Sequence, residues 1–170
     1  MNLKLTAAAL ILAAVLANVA FTALGSIFNY PDVLDEPAGD VLASFRDHEG
    51  AVRAWFAVLA LSAALLAPIA IGVGRLSSTR AMRVAVWVGI AAAAVQVIGL
   101  LRWPILVPGY ASDAASSNAG VASSARDSFT TVSDILGTGI GETLGYLLTA
   151  PSCAAKDAST SPAGSSSTSG

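Results

Sequence analysis

Cysteine and histidine are almost missing from this sequence, since its 170 residues contain one of each, Cys153 and His48. A single thiol excludes a disulfide within the chain, and a single imidazole excludes the histidine clusters that hold zinc. His48 lies between Asp47 and Glu49, but consecutive residues of a helix point in different directions and do not converge on one ion. The sequence also contains no Ser-His-Asp set, HExxH motif or phosphate loop. We therefore predict no metal, no cofactor and no enzymatic activity.

Charged residues are scarce as well. They make up 12% of the chain, against roughly 25% in an ordinary soluble domain. Hydrophobic residues make up 55%, and the mean hydropathy is +0.70. The formal net charge of -2 offers no basic surface for a nucleic acid. This composition is typical of a protein whose main partner is the lipid bilayer.

Three windows without any charged residue are long enough to cross a membrane. They contain 27, 21 and 18 residues, and a spanning helix needs about 20. The charges that bound them are Lys4 and Asp32, Arg53 and Arg75, and Arg83 and Arg102. We predict membrane-spanning helices over residues 5–28, 54–74 and 82–107, with a kink at Pro68 in the second.

A fourth segment, residues 129–150, is less apolar because it carries Asp134 and Glu142. An acidic residue at the centre of a membrane helix costs about 2.5–3.5 kcal/mol, so this segment needs the other three helices to insert. The predicted fold class is all-α, a polytopic membrane helix bundle of about four transmembrane helices over residues 1–150. Residues 151–170 are rich in Ser, Thr, Ala and Gly and are predicted to form a disordered cytoplasmic tail.

The charges on the connecting segments predict the orientation. The short second loop holds Arg75, Arg80 and Arg83 with no acid, whereas the first loop holds six acids and two arginines. Because basic loops stay in the cytoplasm, we predict a multi-pass protein of the cell membrane with both termini cytoplasmic. The aromatic residues near the predicted outer interface agree with this orientation; they are Phe28, Tyr30, Trp55, Phe56, Trp103 and Tyr110.

The first apolar segment also has a rival interpretation, a signal peptide cleaved near Ala23-Leu24-Gly25. Its apolar run is longer than the apolar h-region of a signal peptide, which has about 7–15 residues, and this favours an uncleaved helix. In the first loop, Ala38, Val41, Leu42 and Phe45 recur at helical spacing after Pro37, so we predict a short helix lying on the membrane surface. The third loop, residues 108–128, is predicted to be flexible.

Four short strings resemble an actinobacterial membrane family catalogued as domain of unknown function 4386. They are Leu24-Gly25-Ser26-Ile27-Phe28-Asn29-Tyr30-Pro31-Asp32, Glu36-Pro37-Ala38-Gly39, Leu100-Leu101-Arg102-Trp103 and Gly141-Glu142-Thr143-Leu144-Gly145-Tyr146-Leu147. The resemblance implies an integral membrane protein with no assigned activity. Members of the family continue into further apolar helices, whereas this chain changes to a polar tail after Ala150. We therefore expect a truncated or frameshifted reading frame there.

The candidate intramembrane polar residues are Glu142, Asp134, Arg102, Asn18 and Gln96. Glu142 is predicted to lie near the membrane midplane, where burial would favour its protonated form, as a proton relay requires. Arg102 is predicted at the outer end of the third helix, either paired with Asp134 or extended toward the headgroups. Asn18 and Gln96 lie near the middle of their helices and either line a polar path or hydrogen-bond to other helices.

Gly137, Gly141 and Gly145 recur every four residues and are predicted to form a helix-packing face, which favours a homo-oligomer or a contact with another membrane protein. The first functional hypothesis is therefore a structural or regulatory interaction component of the membrane. The alternative is a small proton-coupled transporter or carrier, with Glu142, Asn18 and Gln96 along its path.

Overall fold

The structure is a computed structural model that describes residues 3–136. The described chain consists of helices and contains no strand, which confirms the all-α prediction. A short 3-10 helix, Asp32–Asp35, follows the first of seven α-helices. These are α1 (Leu3–Phe28), α2 (Ala38–Asp47), α3 (Glu49–Ala64), α4 (Leu66–Gly74), α5 (Arg80–Ile105), α6 (Val107–Ala114) and α7 (Ala119–Ser133).

Three helical segments of the described chain are long and apolar enough to cross a membrane. They are Leu3–Phe28, Glu49–Gly74 and Arg80–Ala114. Each overlaps one of the charge-free windows, because a helix needs a long run without charges to cross hydrocarbon. The protein is therefore membrane-embedded.

The second of these segments is interrupted at Leu65, between α3 and α4. Pro68 has no backbone N–H, so the carbonyl of Ala64 loses its usual intrahelical donor. The hydrogen bonds on either side remain, since Leu65 N–H donates to Leu61 at 3.2 Å and Ile69 N–H donates to Leu65 at 3.2 Å. The kink predicted from Pro68 is thus present as a break of one residue.

The chain after α5 differs from the prediction of a flexible loop over residues 108–128. Pro108 lies in the first turn of α6, where its missing N–H costs no hydrogen bond. Asn118 caps α7, and its side-chain oxygen accepts from the N–H groups of Gly120 at 3.0 Å and Val121 at 3.4 Å. These local signals make the segment helical although it lacks bulky apolar side chains. The helix predicted over residues 129–150 therefore begins earlier, at Ala119, and its part beyond residue 136 lies outside the described residues.

The helix predicted in the first loop is present as α2, but its apolar face does not lie on the membrane surface. Val41, Leu42 and Phe45 are fully buried against other helices of the chain. This part of the prediction is wrong because α6 and α7, which form largely from the residues predicted to be a flexible loop, provide protein surface for α2 to cover.

At the end of the bundle where α1 begins, helices come into close contact at glycine residues. A Cβ atom on Gly72 of α4 would overlap the Thr6 side chain of α1, and one on Gly74 would overlap Val86 of α5. A Cβ on Gly89 would lie 2.9 Å from the Cβ of Ala70. Small residues let the backbones of α1, α4 and α5 approach closely, as in other membrane helix pairs.

Candidate functional site

Five aromatic rings form the core at the opposite end of the bundle. Trp103, near the end of α5, is 1% exposed, and the ring of Phe56 stacks on it with centroids 4.7 Å apart and planes 6° apart. The other rings meet Trp103 at centroid distances of 5.3 Å for Phe28, 6.2 Å for Phe45 and 6.1 Å for Phe129. These rings come from α1, α2, α3, α5 and α7, so this aromatic cluster joins five helices.

The sequence analysis placed Phe28, Phe56 and Trp103 at the membrane interface, where they would meet lipid headgroups. The structure instead buries all three in the aromatic cluster. The sequence predicted most of the helices that carry these rings, but not that the helices meet around Trp103. Trp87 near the other end of α5 is 72% exposed and remains available to an interface.

Arg102 lies beside the aromatic cluster and is only 7% exposed. Its Nη1 donates to the backbone carbonyl of Ser133 at 3.2 Å, and its Cζ lies 5.7 Å from the centroid of the Trp103 ring. Among the described residues, its Nε and the buried hydroxyl of Ser133 have no hydrogen-bond partner. The guanidinium therefore links α5 to the end of α7 through a charge-assisted hydrogen bond, and a cation–π contact holds it against the neighbouring Trp103 ring of α5.

Two predictions for Arg102 are wrong. Its side chain does not extend toward the headgroups, because the aromatic cluster and α7 enclose it. It also forms no ion pair with Asp134, which is exposed at the end of α7; within residues 3–136 the single ion pair joins Glu49 and Arg53. The neighbouring carbonyl of Ser133 takes the place that the carboxylate was expected to occupy.

Tyr30 also lies at this end of the molecule. The sequence analysis named it among the interfacial aromatic residues but not among the candidate polar residues. Its ring meets Phe56 edge-on at 5.3 Å and stacks on Phe21 at 5.9 Å. Burial raises the pKa of its hydroxyl, and the nearby positive charge of Arg102 lowers it to a smaller extent. The hydroxyl is thus held in its neutral form over a wider pH range than that of a free tyrosine.

The two amides predicted inside the membrane lie on outward faces of the described bundle. Asn18 is exposed on α1 and donates from Nδ2 to the carbonyl of Ala14 in its own helix at 2.8 Å. Gln96 is exposed on α5. The structure therefore brings neither of them to Arg102, and the two do not share a cavity of the described chain. Glu142, Gly137, Gly141 and Gly145 lie outside the described residues.

Two clefts open beside α6 and α7, away from the aromatic cluster. The first has a volume of about 490 Å³ and lies between α2 and α7; its lining includes Asp40, Arg46 and Arg126. The second, about 440 Å³, lies along α6 and α7 and includes Tyr110 and Asp113. The sequence analysis missed Arg46 and Arg126 because they are far apart in the chain, and Arg126 lies in the part of α7 that was predicted to be a flexible loop.

Comparison with known proteins gives one match, which covers most of the chain. The family described as domain of unknown function (DUF4386) matches residues 5–155. Neither a curated protein nor a solved structure matches the chain. The match includes all three apolar helical segments and both partners of the Arg102–Ser133 hydrogen bond.

Proposed function

The chain belongs to the DUF4386 family, and we propose that it serves in the membrane as an interaction component, a structural or regulatory partner of another membrane protein. The observation that carries the proposal is the exposure of Asn18 on α1 and Gln96 on α5. On a surface that faces hydrocarbon, an amide side chain can satisfy only part of its hydrogen-bonding capacity within its own helix, as Asn18 does by donating to the Ala14 carbonyl, and leaving the rest unsatisfied is unfavourable. Contact with a further helix supplies those partners.

The surrounding surface supports a helix contact on both sides of the bundle. Only 17% of the apolar window of α1 and 6% of that of the third segment are buried, against 39% of the second segment between them. The first and third segments therefore flank the second and present most of their surface outward. A partner helix on either side would meet an apolar face that contains one amide.

The alternative inferred from the sequence, a proton-coupled carrier, needs Asn18 and Gln96 to line a common path. Their exposed positions on two flanking helices favour the interaction function instead. A Glu142→Gln variant separates the two functions, because a carrier would lose pH-dependent flux in vesicles whereas an interaction component would keep its partner.

Photo-crosslinking in native membranes tests the proposal. A photoreactive residue at position 96 should form a crosslink to a second protein or a second copy of the chain. The same residue at position 98 is the matched control, since Ile98 is also exposed on α5 but points about 200° away around the helix. Crosslinks from position 96 only to lipid, or only to residues of the same chain, would contradict an intermolecular contact.

We also propose that the protein crosses the cell membrane several times, with the loop between α4 and α5 in the cytoplasm. Its support is the sequence segment between Glu49 and Asp113, which has five arginines and no acid, with three of the arginines in or beside the loop between α4 and α5. Single cysteines at Ser78 and Ser116, in a Cys153→Ser background, test this arrangement in intact cells. A reagent that cannot cross the membrane should label position 116 and spare position 78, and the reverse result would invert the topology.

A further inference from the structure

The first cleft, between α2 and α7, has a charge pattern that the proposed interaction function does not use. Two guanidinium groups, Arg46 and Arg126, and one carboxylate, Asp40, line the same space of about 490 Å³. All three side chains are exposed, and none of them forms an ion pair with another. The volume falls within the range of about 300–1,000 Å³ that is usual for small-molecule sites.

The side chain of Arg126 on α7 faces Gly39 at the start of α2. A Cβ atom on Gly39 would lie 3.4 Å from Nε of Arg126 and 4.0 Å from its Cζ. The guanidinium therefore lies in contact distance of the Gly39 backbone, at the first turn of α2. Arg46 follows Gly39 by seven residues, two helical turns, so it lines the same wall of the cleft.

The three charged side chains together favour one class of ligand. Guanidinium groups form paired hydrogen bonds with phosphate oxygens, and two of them in one cleft favour a dianionic or monoanionic phosphate ester. The amino terminus of α2, which begins at Ala38 beside the cleft, adds partial positive charge of the same sign. Asp40 would repel a simple anion but attract an ammonium group attached to it.

We propose that this cleft binds a zwitterionic phosphoamine, with the phosphate on Arg46 and Arg126 and the ammonium group on Asp40. The ligand is either the ethanolamine phosphate headgroup of a lipid or the soluble ethanolamine phosphate itself. One wall of the cleft includes Ala114, the last residue of the third membrane-spanning segment, which places the site within reach of a headgroup.

The test uses the purified full chain in a non-ionic, phosphate-free detergent buffer. Calorimetry measures binding of ethanolamine phosphate and of inorganic phosphate, and native mass spectrometry measures binding of a short-chain phosphatidylethanolamine. Arg46→Gln and Arg126→Gln should each weaken binding of ethanolamine phosphate by about tenfold, because each removes a hydrogen bond between charged groups. Asp40→Asn should weaken binding of ethanolamine phosphate and strengthen that of inorganic phosphate.

The matched control is Arg53→Gln, which removes the same charge from the same end of the molecule at a residue outside the cleft. Its affinity should equal that of the unchanged protein. If the protein retains phosphatidylethanolamine in the mass spectrometer, the ligand is the lipid headgroup. If it binds only soluble ethanolamine phosphate, the ligand is the free compound. Absence of binding in all three measurements, or equal loss in Arg53→Gln, would overturn the proposal.

Discussion

At one end of the bundle five helices meet around the ring of Trp103, whereas at the other end α1, α4 and α5 meet where glycine allows their backbones to touch. The first arrangement buries large aromatic side chains, whose rings fill the gaps between helices. The second buries little side-chain area and depends on the distance between backbones. Smaller side chains at the aromatic end, and larger side chains at the glycine end, should therefore lower the stability of the folded protein.

Trp103→Ala should have the largest effect and would break the aromatic end. Truncating a buried aromatic residue costs about 3–5 kcal/mol in folding free energy, through lost apolar contact and the remaining cavity. Thermal unfolding in detergent, followed by circular dichroism, measures the change. Trp87→Ala is the matched control, since Trp87 lies on the same helix but is 72% exposed. Equal effects of the two substitutions would show that the aromatic cluster does not dominate this end.

Gly72→Ala should have the next largest effect and would break the glycine end. The added methyl group overlaps Thr6, and overpacking of this kind typically costs about 1–3 kcal/mol. Gly109→Ala serves as control because a Cβ at position 109 meets no atom within 4 Å. Thermal unfolding of both variants gives the comparison. If Gly72→Ala were as stable as Gly109→Ala, close approach of α1 and α4 would not be required.

High pH should weaken the aromatic end through Tyr30. Because burial raises the pKa of this hydroxyl above its ordinary value of 10.0, the folded chain holds a proton that the unfolded chain releases. The stabilisation by Tyr30 is thus complete below pH 10 and is lost as the pH rises through its folded-state pKa. Unfolding temperatures across this range should fall more steeply for the unchanged protein than for Tyr30→Phe. Parallel curves would contradict a buried neutral hydroxyl.

Glu49→Gln should have the smallest effect. Glu49 and Arg53 form an ion pair at 2.9 Å one turn apart on α3, and both side chains are almost half exposed. Such pairs typically contribute only about 0.3–0.5 kcal/mol, and salt screens them. The difference in unfolding temperature should disappear when the salt concentration is raised. A loss comparable to that of Gly72→Ala would assign this pair a structural role that its exposure does not support.

The membrane-spanning helices were predictable from sequence because absence of charge over about 20 residues is a local property. The aromatic cluster was not, since its members come from five helices, and their separate positions near helix ends fit an interfacial role equally well. Helix α6 and the part of α7 before Phe129 were missed for another reason. Their helix signals, Pro108 and Asn118, are single residues in a segment whose composition resembles that of a flexible linker.

The candidate site was predictable only in part. Arg102 was selected as an unusual charge near the membrane, but its position along the helix could not reveal that the aromatic cluster and α7 enclose it. Asn18 and Gln96 were likewise selected by position along their helices, and the faces on which they lie became evident only from helix packing. The cleft with Arg46 and Arg126 required α7, so no sequence argument that treated residues 108–128 as a flexible loop could find it.

The hydrogen bond from Arg102 to the carbonyl of Ser133 has a consequence for biosynthesis, because its two ends are 31 residues apart in the chain. At a synthesis rate of about 5–20 residues per second, the ribosome makes the acceptor a few seconds after the arginine. During that interval the nascent third segment enters the translocon with an unshielded cation in the last turn of α5. Its lateral release into lipid should therefore wait until α7 has emerged.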